Sequence, residues 1–192
     1  MDPLDYFNRE LEDHSEVLAT TRAALSAPFQ EMLEIWITAI QNGNKILFFG
    51  NGGSAADAQH LAAELVIRFI DDRKPIAAIA LNTDTSALTA GANDLGFEDV
   101  FARQIDALGK PGDVAVGIST SGTSPNIVKA LEMARNRNLV PTALTGRDGG
   151  RMPELADVAL IVPAHSTRRI QEMHITLGHM LCGALEQSLK LV

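Results

Sequence analysis

Apolar residues follow two different rhythms along this chain. Over the first forty residues, Leu11, Val17, Leu18, Leu25, Met32, Leu33, Ile35, Trp36 and Ile40 recur at mixed three- and four-residue spacing, the period of an amphipathic helix. The spacing predicts two N-terminal helices, over about 4–25 and 28–42. Asn42-Gly43 stops the second, because glycine takes the left-handed end cap easily. From residue 46 the pattern changes to short, nearly continuous apolar runs: Ile46-Leu47-Phe48-Phe49, Ala77-Ala78-Ile79-Ala80-Leu81, Val114-Ala115-Val116-Gly117-Ile118, Thr142-Ala143-Leu144 and Val158-Ala159-Leu160-Ile161-Val162. Runs without alternation belong to strands covered on both faces, as in a parallel sheet. Helical stretches are predicted between most of them, at about 55–70, 85–93, 98–108, 124–137 and 166–191. Alternation of strands and helices predicts an α/β fold: a doubly wound, five-stranded parallel sheet flanked by helices. No repeat or linker divides 1–192, which reads as one domain.

In such a sheet, ligands bind beyond the carboxyl ends of the strands. Two of the loops there are suited to an anion. Gly50-Asn51-Gly52-Gly53-Ser54 follows the first strand, and its glycines allow a sharp turn and close backbone approach to a ligand. Gly50, Gly52 and Ala55 also satisfy a dinucleotide pattern. The acidic residue that pattern needs at the end of the second strand is missing, Asp71 and Asp72 coming before that strand, and there is no GxxxxGK[ST] loop for a nucleoside triphosphate. The second loop, Ser119-Thr120-Ser121-Gly122-Thr123-Ser124-Pro125-Asn126, places Ser124 at an N-cap and Pro125 at the first helical position. The helix dipole, its first N–H groups and the hydroxyls of Ser119, Thr120, Ser121 and Ser124 then form an anion cradle without lysine or arginine. An ordinary Ser/Thr turn has the same composition.

His60 and Glu64 stand four apart on a predicted helix, so they share a face that can hold a zinc-like ion. A plain surface pair has the same spacing. The last helix carries Arg168, Arg169, Gln171, Glu172, His174 and His179 within an otherwise apolar stretch. At 100° per residue, His174 lies about 60° from Gln171 on one side and His179 about 80° on the other, so periodicity leaves open which histidine faces a site. Asn82-Thr83-Asp84-Thr85 follows the second strand, and Asn93-Asp94 precedes a turn at Leu95-Gly96-Phe97.

Composition narrows the function classes. The 192 residues are 46% hydrophobic, enough for one core, and 16 basic against 24 acidic residues give a net charge of −8. No basic run marks a nucleic-acid partner. No apolar stretch approaches the roughly 20 residues of a membrane span. The start, Met1-Asp2-Pro3-Leu4-Asp5, lacks the pattern of a signal peptide, and Cys182 stands alone without a disulfide partner. A cytoplasmic location is the expectation.

Gly50-Asn51-Gly52-Gly53-Ser54-Ala55-Ala56-Asp57-Ala58-Gln59-His60 strongly resembles the signature of bacterial phosphoheptose isomerases, proteins of the sugar isomerase (SIS) fold. Ala92-Asn93-Asp94, Ile118-Ser119-Thr120-Ser121-Gly122, Leu144-Thr145-Gly146-Arg147-Asp148-Gly149-Gly150 and Arg169-Ile170-Gln171-Glu172-Met173-His174 match in the same order. The resemblance implies conversion of sedoheptulose 7-phosphate to D-glycero-D-manno-heptose 7-phosphate. That product leads to nucleotide-activated heptose for lipopolysaccharide core or another surface glycan. It implies a homotetramer with sites at subunit contacts, 1–42 serving in oligomer packing, and one zinc per subunit. The zinc positions fall on His60, Glu64, Gln171 and His179, so the resemblance selects His179 over His174. Substrate contacts fall on Asn51, Gly52, Gly53, Glu64, Asn93, Asp94, Ser119, Thr120, Ser121, Ser124 and Gln171, and the acid/base pair is Glu64 with His179. Some relatives carry an acid where this chain has Arg168, so any sugar contact of that acid does not carry over. Two rivals share the fold: a non-catalytic SIS protein of the replication-initiator-associating kind, and an amino-sugar phosphate enzyme. Glu64 and His179 favour the isomerase over the first, and the His60/Glu64 and Gln171/His179 sets favour it over the second.

Overall fold

The structure is a computed structural model and describes residues 2–191; Met1 and Val192, the ends of the expected domain, lie outside the described residues. Its elements run α1 (Pro3–Gln41), β1 (Ile46–Gly50), α2 (Gly53–Val66), β2 (Ala78–Ala80), α3 (Thr85–Asp94), a 3-10 turn (Phe97–Asp99), α4 (Val100–Leu108), β3 (Val114–Ser119), α5 (Pro125–Asn136), β4 (Val140–Gly146), α6 (Met152–Leu155), β5 (Val158–Val162) and α7 (Thr167–Ser188). The five strands form one parallel sheet in the order β2-β1-β3-β4-β5. The expected doubly wound architecture is thus present. Strand order reverses between β1 and β3, so the loops after those two strands open at the switch point where such sheets take ligands.

Alternate side chains of β1 enter two separate cores. Ile46 and Phe48 pack with Trp36, Leu61, Leu65, Ile170 and Leu181 under α1, α2 and α7. Leu47 and Phe49 pack with Phe101, Ile105, Leu131 and Met152 under α4, α5 and α6. Both faces of the strand are dry, which is why its sequence shows no polar alternation.

The N-terminal expectation of two helices is corrected to one, α1, which runs through Pro28. A proline inside a helix removes one hydrogen bond and costs about 3 kcal/mol. The lost bond is the one to the carbonyl of Ala24, an exposed residue of the helix. Thr21, Leu25, Met32, Trp36 and Ala39 form one buried stripe across the break, and their burial outweighs the proline. Helix α2 ends at Val66, four residues before the expected 70. There Arg73 donates to the carbonyls of Leu65 (2.7 Å) and Glu64 (2.8 Å), and the chain leaves the helix. Strand β4 is longer than the expected Thr142–Leu144 core run, and Pro141 occupies its second position, where proline is tolerated near a strand start.

Candidate functional site

The two glycine- and hydroxyl-bearing loops meet at the switch point. The side chains of Asn51 and Asn126 exchange a reciprocal pair of 2.8 Å hydrogen bonds, tying the β1 loop to the start of α5. Asn82 clasps Gly50 in the same way, accepting from its N–H and donating to its carbonyl at 2.8 Å. Gly52 turns the chain into α2 with φ +57 and ψ −120, a conformation that needs glycine. Gly122, at φ +67, lies flat against Gly149, so the Ser/Thr loop also leans on the turn after β4.

Ser124 occupies the expected N-cap of α5, but its side chain caps nothing. Its Oγ instead stands 3.2 Å from the Oγ of buried Ser119, which is 3.5 Å from that of Ser121. The hydroxyls therefore cluster beyond β3 in front of a twelve-residue helix whose positive end faces them. Such a cluster can take the oxygens of a phosphate, a neutral-donor cradle with no cation in it.

A polar track leads away from the cradle. Helices α2 and α7 run parallel: Gln171 rests on Gly53, Gly178 on Leu61, and Phe69 on Gly183. Near Gln171 stands Asp57, one turn into α2, with its Oδ2 buried and without a hydrogen-bond partner. Burial pushes the Asp57 carboxyl up from its ordinary value, and the Gln171 amide and nearby His60 pull it part of the way back. Further on, His60 and His179 bring their Nε2 atoms to 2.8 Å, and Glu64 Oε1 lies 3.3 Å from His60 Nε2. At 1.5 Å per residue, His60 and Glu64 stand about 10 and 16 Å along the helix from Gly53.

The structure thus brings together Asn51, Gly52, Gly53, Ser119, Thr120, Ser121 and Ser124 at one end of the track, and His60, Glu64 and His179 at the other. It leaves Asn93 and Asp94 apart, at the exposed end of α3, where their side chains bond each other at 2.7 Å. Gln171 stands eight residues, about 12 Å, from His179 on the same helix and is not gathered with the histidines. Imidazole nitrogens with a carboxylate are donors that zinc accepts, although the 2.8 Å between the two Nε2 atoms is a hydrogen-bond distance, shorter than the roughly 3.3 Å between two nitrogens on one tetrahedral zinc. Among the described residues, however, no three His, Cys, Asp or Glu side chains close on one point. The donor types fit zinc; the set within one chain is incomplete.

The two histidines of α7 separate cleanly. His174 is fully buried, and its Nε2 donates to the carbonyl of Thr145 at 3.0 Å, which leaves Nδ1 without a partner. Burial pushes this imidazole down from 6.5 to about 4. Arg168 bonds Glu10 and the Tyr6 hydroxyl, while Arg169 bonds Glu10 and Glu172, and Glu172 accepts from His14 at 2.7 Å. This cluster pins α1 to the start of α7. Sequence reasoning missed Asn126 and Asp57. The signal for Asp57 was in reach: an acid in the Gly50–His60 stretch on the buried face of a helix.

A parallel sheet of this order, with a hydroxyl-rich loop at its switch point, belongs to the doubly wound α/β folds that take anions there, and the family profile described as SIS domain matches residues 11–146. The chain is 58% identical over 181 residues to the phosphoheptose isomerase of Paramagnetospirillum magneticum, covering 94% of each. It is 57% identical over 150 residues to that of Aquifex aeolicus, covering 78% of each. The solved phosphoheptose isomerase of Neisseria gonorrhoeae superposes with a TM-score of 0.91 at 43% identity, over 96% of this chain and 98% of that one. The chain belongs to the phosphoheptose isomerase family of SIS domain proteins.

Proposed function

We propose that the protein is an aldose–ketose isomerase converting sedoheptulose 7-phosphate to D-glycero-D-manno-heptose 7-phosphate, for nucleotide-activated heptose and a surface glycan. One observation carries this reading: the anion cradle and the His60/Glu64/His179 cluster lie at opposite ends of one polar track. A seven-carbon chain with bonds near 1.5 Å extends roughly 10 Å from C1 to phosphorus, about the rise along α2 from Gly53 to His60. The phosphate sits at one end of such a sugar and the reacting C1–C2 unit at the other. The names of the relatives at up to 58% identity agree with it.

Isomerisation moves a proton between C1 and C2 through an enediol and also moves one between the two oxygens. The Glu64 carboxylate has only acceptor lone pairs, so it suits removal and return of the carbon-bound proton. A neutral His179 has one donor and one acceptor nitrogen, so it suits transfer between O1 and O2. The cradle of Ser119, Thr120, Ser121 and Ser124 holds the phosphate with Asn51, Gly52 and Gly53 beside it, and Gln171 lies on the path towards the histidines. Asn93 and Asp94 remain proposed substrate contacts from the resemblance alone.

We further propose one zinc per subunit, with His60, Glu64, Gln171 and His179 as the donor set that the resemblance implies; a carboxylate held tightly by zinc is a poorer base, so either Glu64 leaves the ion during turnover or His179 carries more of the transfer. When bound, zinc would polarise the sugar oxygens at C1 and C2. A homotetramer in the cytoplasm completes the reading. Between α1 and α7 runs an apolar groove of about 550 Å³ lined by Leu18, Leu25, Phe29, Leu33, Leu177 and Met180. Leu4, Phe7 and Leu11 are exposed on α1. Such a face asks for cover, and residues 1–42 would supply part of the contact between copies. Light scattering at micromolar concentration is expected to give four chains. For the activity, purified protein with zinc and sedoheptulose 7-phosphate is expected to yield the aldoheptose by NMR; no conversion, with phosphate binding intact, overturns the isomerase in favour of a binding protein.

A further inference from the structure

The segment 67–76, between α2 and β2, is irregular, yet it is tied at several points. Glu186 of α7, 2% exposed, accepts from the Phe69 N–H at 3.2 Å and from Arg73 Nε at 2.6 Å. Arg73, also buried, donates from its two terminal nitrogens to the carbonyls of Leu65, Lys74 and Glu64. A buried ion pair adds little net stability over an apolar replacement. What this one does is set the path of the strap. The strap lays Phe69 across α7, where the ring lies against Gly183; a Cβ there would come within 3.2 Å of Phe69 Cε1. Four residues back on the same face, His179 lies beside that ring, centroids 5.5 Å apart and planes 35° from parallel. His179 also meets His60 edge-on, centroids 5.0 Å apart at 71°.

We propose that Phe69 is a positioning residue for His179, held in place by the Arg73–Glu186 pair. The imidazole is confined by an aromatic wall and a second histidine, so it keeps the rotamer that aims Nε2 at His60 and the Glu64 side. Terminal sp3–sp2 torsions such as histidine χ2 are broad by themselves, and a flanking ring narrows them. The same Arg73 holds the backbone carbonyl of Glu64, so the strap also fixes the end of α2 from which that side chain projects. The inference rests on the reading that His179 takes part in proton transfer.

The test compares Phe69→Leu, which keeps apolar bulk without a ring, with Phe69→Tyr, which keeps the ring. Phe69→Leu is expected to lower kcat at least about fivefold with KM within about twofold, and Phe69→Tyr to restore kcat, since misplacement of a reacting group costs rate rather than binding. In metal-free protein, the His179 ring C–H resonances, assigned by their loss in His179→Gln, are expected to move in Phe69→Leu and stay in Phe69→Tyr. If Phe69→Leu does not fold, Gly183→Ala, which pushes on the ring from below, is read for the same resonance shift. Unmoved His179 resonances with wild-type kcat in the tested variant overturn the positioning role. A fully active His179→Gln would instead overturn the acid/base reading beneath it.

Discussion

The Nε2 atoms of His60 and His179 stand 2.8 Å apart although 119 residues separate them in the chain. At that distance the two imidazoles share a proton, and a cation held by both would part them slightly. Zinc binding is therefore expected to need both. Elemental analysis of protein purified without chelator is expected to find about one zinc per chain, the occupancy of a single site, and His60→Ala is expected to lose it. Full metal content in His60→Ala would show that the histidines are not its ligands.

The hydroxyl cluster predicts where the phosphate is held. Ser119 and Ser124 approach to 3.2 Å, and Ser124 leaves its helix uncapped to do so. Removing both hydroxyls, as Ser119→Ala with Ser124→Ala, is expected to raise KM more than about tenfold, because two contacts near 1 kcal/mol each give that factor. Helical content and melting temperature identify a folded variant. Unchanged substrate affinity in that folded variant would move the phosphate elsewhere.

Proton transfer and phosphate capture are expected to separate by mutation. Glu64→Gln or His179→Gln is expected to cut turnover by at least about a hundredfold, the usual scale for losing a general acid or base. The sugar phosphate is expected still to bind, since the hydroxyl cradle is untouched and belongs to the β3–α5 loop, not to α2 or α7. Metal content is measured alongside to separate lost zinc from lost base. Wild-type rates in both variants would remove the pair from the mechanism.

His174 predicts an acid limb in stability. Folding holds it neutral, its value pushed from 6.5 to about 4 by burial. The unfolded chain takes up a proton first as pH falls. The stability is thus fully present above about 6.5, drains between about 6.5 and 4, and amounts to about 3 kcal/mol. Urea unfolding at pH 7 and pH 4.5 reads the difference. His174→Gln, which keeps an N–H for the Thr145 carbonyl and does not titrate, is expected to flatten that slope. An identical slope in the variant would assign the acid loss to other groups.

Much of this was legible in the chain itself. The change of apolar period at residue 46 marked the boundary between α1 and the sheet, because helix and strand bury different sets of positions. Ser124-Pro125 marked the start of α5 to the residue, since both preferences are local backbone chemistry. Glycines at 50, 52 and 53 and the hydroxyl run from Ser119 marked the loops that face the switch point.

What the tertiary structure decided depends on partners far off in sequence. Helix α1 continues past Pro28 because a buried stripe supplied by β5 and α7 outweighs a local defect. Helix α2 stops at Val66 because Arg73 returns to cap it and Glu186, more than a hundred residues on, holds Arg73 there. Periodicity left His174 and His179 equivalent. Only the packing of α7 on the sheet buried one against Thr145 and turned the other to His60. A side chain's direction around a helix is local, but what waits for it there is set by the fold.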